Sequence, residues 1–217
     1  MLEPPLASNL PNSNRTEPTP ARDVARLRQA LDGELRQYPQ EILSEPYLIV
    51  LSGLPGTGKS HFASELSRRI PVLVVGSDRM RKALVSRPRY TRGEHARVFA
   101  ACHQLIEDLL KEAYRVVFDA TNLTDGFRRP LYDIAENTAA PLTLVRFTAP
   151  TDLVRRRLDA RAAGLANDSH SDANWRIYCR LRPGEAPVSL PHLKVDSSRD
   201  ISPVVAEVVR LVESARG

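Results

Sequence analysis

The segment Gly53-Leu54-Pro55-Gly56-Thr57-Gly58-Lys59-Ser60 limits what this chain can become more than any other stretch of it. It follows the apolar run Tyr47–Leu51 and opens a helical pattern that continues through His61 to Ile70. A strand, a glycine-rich turn and a helix in that order form a cradle for a chain of phosphates. Glycines at 53, 56 and 58 admit dihedrals closed to other residues, so successive N–H groups turn inward and the helix dipole adds to the attraction. Lys59 is expected to neutralise the outer phosphate oxygens. Ser60 offers a small hydroxyl to the magnesium ion that bridges them. Residues 53–61 are therefore the expected nucleotide-binding set, with ATP or GTP open at this point.

Around that segment the chain alternates. Five short apolar runs read as strands, at 47–51, 72–75, 115–118, 142–147 and 193–195. Helical patterns separate them, at 59–70, 79–85, 94–113, 127–137, 152–163 and 172–181, with a last one at 203–214. Strands joined through helices need crossover connections, so the sheet is expected to be mostly parallel with helices on both faces. Residues 1–20, rich in Pro, Asn, Ser and Thr, bury too little apolar surface to order themselves and are expected to form a disordered tail. From Ala21 the positions Val24, Leu27, Leu31 and Leu35 recur at helical spacing. They predict an amphipathic helix and linker over 21–45, packed on the edge of a catalytic domain at 46–217.

Composition adds bounds. No apolar run approaches the ~20 residues of a membrane span, and the first 20 residues lack the pattern of a secretion signal, so a cytoplasmic protein is expected. The net charge of +5 comes mainly from arginine, there being only four lysines. That excess suits phosphate recognition by planar guanidinium forks, and equally suits a base-composition bias. Cys102 and Cys179 have no metal spacing and are expected to be buried free thiols. His95 and His103 read as satisfied or surface residues rather than metal ligands, and Trp175 and Tyr178 as packing residues.

Three further features bear on the chemistry. The second strand ends in Gly76-Ser77-Asp78-Arg79, which places a carboxylate at the end of a parallel strand where open α/β sheets bind ligands. Asp78 is the general-base candidate, able to take the proton of an attacking hydroxyl; the alternative is that Ser77 or Asp78 caps the next helix. The third strand ends in Phe118-Asp119, an aspartate suited to magnesium directly or through water. Asn122-Leu123-Thr124-Asp125 lacks the lysine of a guanine-reading motif and follows the wrong strand. Finally, Thr151 is placed to cap a helix on which Arg157 and Arg161 share a face, where a closing lid at about 151–182 brings both to a transferring phosphoryl group. A solvated basic face is the alternative.

Together, Gly-Leu-Pro-Gly-Thr-Gly-Lys-Ser, Ser-Asp-Arg-x-Arg, Phe-Asp-Ala-Thr-Asn-Leu and Ala-Pro-Thr-Asp-Leu-Val-x-x-Arg-Leu-x-x-Arg resemble the P-loop kinase family that contains polynucleotide 5′-hydroxyl kinases. The chain is more distantly similar to zeta-type toxins and chloramphenicol phosphotransferase. The likeness spans about residues 46–215. It implies a three-layer α/β/α P-loop NTPase sandwich with a parallel sheet ordered 2-3-1-4-5 and a helical lid. It implies ATP with Mg2+, an aspartate base matching Asp78, and lid arginines matching Arg157 and Arg161. Arg81 matches an arginine that contacts substrate phosphate, Asn122 falls in the matched Phe-Asp-Ala-Thr-Asn-Leu motif and is a candidate substrate-binding residue, and Asp196–Arg199 is expected near the adenine. Tyr90, amid Arg79, Arg81, Lys82, Arg87, Arg89 and Arg92, is placed to stack on a base, although these arginines equally suit the solubilising of a mobile loop, as Pro88 and Gly93 suggest. The acceptor implied is a nucleic-acid 5′-hydroxyl or a small-molecule hydroxyl. A regulatory ATPase without phosphorylated product and a nucleotide-sugar kinase toxin stay open, as does the oligomeric state.

Overall fold

The computed structural model describes residues 19–42, 45–165 and 171–215. Residues 1–18 of the expected tail and the middle of the expected lid therefore lie outside the described residues, while Pro20, expected in that tail, opens the first helix instead. Each apolar run forms a strand: β1 (Tyr47–Ser52), β2 (Leu73–Gly76), β3 (Arg115–Asp119), β4 (Leu142–Thr148) and β5 (Leu193–Asp196). They pair in parallel in the order β2-β3-β1-β4-β5. Every residue of β1 is buried, as befits a central strand covered on both faces.

Side-chain alternation divides the core in two. Leu48 and Val50 point into one apolar cluster, and Tyr47, Ile49 and Leu51 into another. The second cluster is closed by α3 (Lys59–Ser67) and α9 (Ser202–Ser214) through Phe62, Leu66, Val205 and Val208. The first is closed by α4 (Ser77–Leu84), α5 (Arg92–Lys111) and α6 (Asp125–Asn137). The layers are thus helix, sheet, helix.

The N-terminal helix departs from expectation in two ways. It breaks at Leu31 into α1 (Pro20–Ala30) and α2 (Asp32–Gln37). It also does not sit at an edge, because Leu27 and Leu31 are fully buried in the larger core cluster, with α1 against α4 and α5. The reason is polar as well as apolar. Asp23 accepts two bonds from the Arg97 guanidinium at 2.6 and 2.7 Å, and Arg26 donates to Ala83 O at 2.9 Å. Tyr38 continues the attachment by accepting from the Arg115 backbone N–H at 3.1 Å.

The strand ends are level on one side of the sheet. Asp119 lies in register with Leu51 and with Gly76, Ser52 with Arg146, and Thr148 with Asp196. The remaining helices are α7 (Thr151–Ala162) and α8 (Trp175–Leu181), which follow β4 on that side. Pro150, not Thr151, holds the N-cap position of α7, and Thr151 makes no capping bond. The proline already fixes the entry of the chain. Trp175 and Tyr178 stack at 4.9 Å within a small apolar cluster with Leu54, Val154 and Leu158, so they pack α8 onto α7.

Candidate active site

The level strand ends border a cleft of about 1600 Å³, lined from four sides by the phosphate loop, the start of α4, the first turns of α5, and α7 with the segment after β5. Its floor is the loop. Gly56 and Gly58 have φ of +80° and +92°, in the region where glycine is favoured. A Cβ on Gly56 would stand 2.9 Å from Val154 Cγ1, so the loop tip is pressed against α7. Leu54 O collects donors from the Thr57 hydroxyl at 2.7 Å and the Lys59 ammonium at 3.0 Å, which closes the loop on itself. Burial pushes the Lys59 ammonium below its usual range, while the nearby Asp119 and Asp78 carboxylates pull it back up. His61 is exposed on the first turn of α3 and lines the cleft.

Ser60 and Asp119 meet directly, with the hydroxyl donating to Asp119 Oδ2 at 2.6 Å. Asp78 lies in the first turn of α4, whose N-cap is Gly76 and carries no side-chain capping bond. The helix begins earlier than the sequence suggested, and Asp78 is left half-buried on the cleft wall with no hydrogen bond or ion pair among the described residues. Arg157 and Arg161 both line the cleft. Arg157 donates to Ser197 Oγ and Ser197 O, each at 2.8 Å, and to Gly56 O at 3.3 Å. It therefore ties the loop tip to the Asp196–Arg199 segment, and burial draws its guanidinium below the usual range. Ser197 would itself crowd a Cβ on Gly58 at 3.1 Å.

The three expected acceptor residues are placed differently from one another. Arg81 is buried, paired to Glu94 at 2.6 Å, and lies 4.9 Å over the Tyr90 ring. Tyr90 lines the cleft with a φ of +55° and donates its hydroxyl to Asp172. Burial, then that hydrogen bond, raise the Tyr90 phenol above its ordinary range. Asn122 does not border the cleft. Its side chain is buried and donates to Leu51 O at 2.8 Å, while its own carbonyl accepts from Ser52 and Arg128, both at 3.0 Å. It fastens β3 to β1 behind the loop.

Several residues went unread in the sequence. Phe99 lies between His95 and His103 on α5 at the same spacing of four, and with Phe127 these rings form one wall of the cleft. The i, i+4, i+8 pattern was the available signal. Burial lowers both imidazoles, which favours their neutral forms, and no group of three or more metal-binding side chains occurs among the described residues. Arg146 donates to Ser52 Oγ at 3.2 Å and pairs with Glu185, bracing the strand below the loop. Cys102 is buried, its thiol pushed up to about 12. Cys179, expected to be buried, is exposed because α8 turns Tyr178, not its neighbour, inward.

No helix among the described residues is long and apolar enough to cross a membrane. Comparison with known proteins agrees with the geometry. The AAA domain family model matches residues 48–176. The L-seryl-tRNA(Sec) kinase of Methanococcus maripaludis is 25% identical over 175 residues, which make up 77% of this chain and 66% of that protein. The chain thus spans just under two-thirds of that relative's length. Kti12 of Chaetomium thermophilum, solved with ADP-AlF3, superposes with a TM-score of 0.62 at 20% identity, covering 78% of this chain and 99% of that one. APS kinase CysC of Mycobacterium tuberculosis, solved with AMPPNP and APS, gives 0.57 at 19% identity, covering 78% and 98%. These two likenesses establish the P-loop α/β fold. With the family match extending over more than half its length, the chain belongs to the AAA domain family of P-loop proteins.

Proposed function

We propose that this chain is an ATP-dependent phosphotransferase that moves the γ-phosphoryl group to a hydroxyl, either on a polynucleotide 5′ end or on a small molecule. The observation that carries the reading is Asp78. It is a carboxylate with no hydrogen bond or ion pair among the described residues, on the wall of a cleft whose floor is a phosphate loop. A loop serving nucleotide binding alone has no need of a base there. Kinases among the relatives, including the L-seryl-tRNA(Sec) kinase, support the same reading.

In this scheme the loop amides and Lys59 hold the β and γ phosphates, and Arg157 fixes the loop tip against the segment expected at the adenine. The acceptor hydroxyl gives its proton to Asp78 as its oxygen bonds to the γ-phosphorus. The bond from that phosphorus to the bridging oxygen breaks, and ADP leaves. Arg161, one turn beyond Arg157, lines the same cleft and is assigned to the charge that moves onto the bridging oxygen. Ser60 Oγ and Asp119 Oδ2 are hard oxygen donors 2.6 Å apart, and this pair would hold a Mg2+. When bound there, such an ion neutralises phosphate charge.

Incubation with γ-labelled ATP, magnesium and a panel of 5′-hydroxyl oligonucleotides, nucleosides, sugars and other alcohols tests this. Asp78→Asn is expected to keep ATP affinity and to slow transfer by about 10²–10⁴-fold. Transfer at the wild-type rate by that variant would remove Asp78 from the mechanism. ATP turnover with no labelled product across the panel would instead indicate a regulatory ATPase.

A further inference from the structure

Resting on the hydroxyl-transfer reading, we propose that the acceptor pocket is built for an uncharged alcohol bearing a planar aromatic or heteroaromatic ring, and not for a polyanion. The wall beyond Asp78 is a continuous set of ring surfaces. His95 and Phe99 lie 4.1 Å apart and tilted by 30°, and Phe127 meets them at 5.4 and 5.9 Å. Phe127 leaves 39% of its surface exposed at the start of α6, and Tyr90 leaves 43% exposed across the Arg81–His95 contact. Two of the four exposed large hydrophobic side chains among the described residues therefore border this one cleft. Rings left open along a cleft offer a surface that another ring can cover.

The charges around the wall argue against a phosphate-bearing acceptor. The basic run after Asp78 looks in sequence like a phosphate site, but three of its members are already paired, and two of these, Arg79 and Arg81, line the cleft. Arg79 pairs with Glu34, Arg81 with Glu94, and Lys82 with Asp172. A polynucleotide backbone seated here would have to break these pairs and leave their carboxylates beside it. Burial favours the neutral forms of the two imidazoles, and Nε2 of each is buried without a hydrogen-bond partner among the described residues, as suits rings used for their surface. A neutral planar ring stacks on this wall without disturbing any pair, and its hydroxyl is then carried toward Asp78 to take the γ-phosphoryl group.

The test measures binding to the full chain in the presence of a non-hydrolysable ATP analogue. The probes are adenosine, 2-phenylethanol, glucose and a 5′-hydroxyl hexanucleotide, read by saturation-transfer NMR and by competition. Adenosine or 2-phenylethanol is expected to bind with its ring protons saturated most strongly. Phe127→Ala is expected to weaken that binding about tenfold to 100-fold. Phe127→Leu, which keeps the apolar bulk but removes the ring, is expected to weaken it as well, and a melting curve of each variant verifies its fold. Binding of the hexanucleotide or of glucose with neither ring probe bound, or ring binding unaffected by both variants, overturns the proposal. The two readings separate cleanly. Phosphorylation of a sugar or oligonucleotide at rates indifferent to Phe127 leaves the transferase standing and this inference refuted. Ring binding that depends on Phe127, with no label transferred from ATP to any alcohol, supports the pocket and refutes the transferase.

Discussion

The Ser60 hydroxyl donates to Asp119 Oδ2 at 2.6 Å, joining the first turn of α3 to the last residue of β3. The two groups present their oxygens together, so each is expected to depend on the other. Hydrogen bonds to charged groups contribute about 1.5–3 kcal/mol, or roughly tenfold to 100-fold in affinity. Asp119→Asn and Ser60→Ala are each expected to weaken magnesium-dependent ATP binding by that amount. The double variant should fall well short of the sum, because both act through one contact. Calorimetric titration with ATP at several magnesium concentrations measures this, and strict additivity would show that the pair does not act as a unit.

Gly56 is held at φ +80° with Val154 and Leu158 pressed against it. Both belong to the buried cluster that includes Leu54 and Tyr178 and have no room to swing aside. Gly56→Ala adds backbone strain to overpacking and is expected to cost about 1–3 kcal/mol. Gly126 makes a useful contrast, since a Cβ there meets only Thr124 Oγ1 at 3.8 Å in the first turn of α6. Gly126→Ala is expected to be neutral or to stabilise by up to about 1 kcal/mol. Urea denaturation of the two variants checks the difference in sign.

Burial lowers His103, which lies edge-on to Phe99 and Phe118 at 6.0 Å. His95, beside Arg81 and Glu94, is lowered in the same way, with the Arg81 charge adding to the effect. An imidazole depressed in the folded state takes up its proton only in the unfolded chain between the two values. Stability from these groups is therefore full above about pH 6.5 and declines as the pH falls below it. His103→Leu removes one such group without opening a polar gap. Melting temperature measured from pH 7.5 to 5.5 should drop less in this variant than in wild type, and equal slopes would remove His103 as a source of acid sensitivity.

Much of the scaffold was legible because its signals are local. The phosphate loop, the five apolar runs and their crossover helices follow from spacing along the chain, and the sheet order came with the family resemblance. What stayed hidden depends on which side chains meet across the fold. Arginine excess suggested phosphate binding, yet Arg115 is buried against Glu45, and Arg128 is buried against Asp125 and the carbonyls of Asn122 and Pro187. These guanidiniums satisfy buried backbone and carboxylate groups, a role that composition cannot separate from phosphate binding. Asn122 was expected among the acceptor residues, but with a left-handed φ of +44° its side chain donates back to Leu51 O. The aromatic wall needed α5 and α6 brought together, which no single segment encodes.

The attachment of α1 gives the last prediction. Asp23 is 4% exposed and receives both bonds from Arg97, which is itself partly open to solvent. Loss of a fully buried partner costs about 3–5 kcal/mol, so Asp23→Ala, with Arg97 able to reach water, is expected to cost about 1–3 kcal/mol. Leu27→Ala empties a fully enclosed site in the main core and is expected to cost about 2–5 kcal/mol. The consequence reaches the active site, because α1 and α2 also hold α4 through Arg26 on Ala83 O and Glu34 on Arg79, the residue next to Asp78. A fragment of residues 46–217, although it contains every candidate catalytic residue, should melt well below the full chain and bind ATP more weakly. Equal melting temperatures for fragment and full chain would show that the N-terminal helix is an appendage and not part of the core.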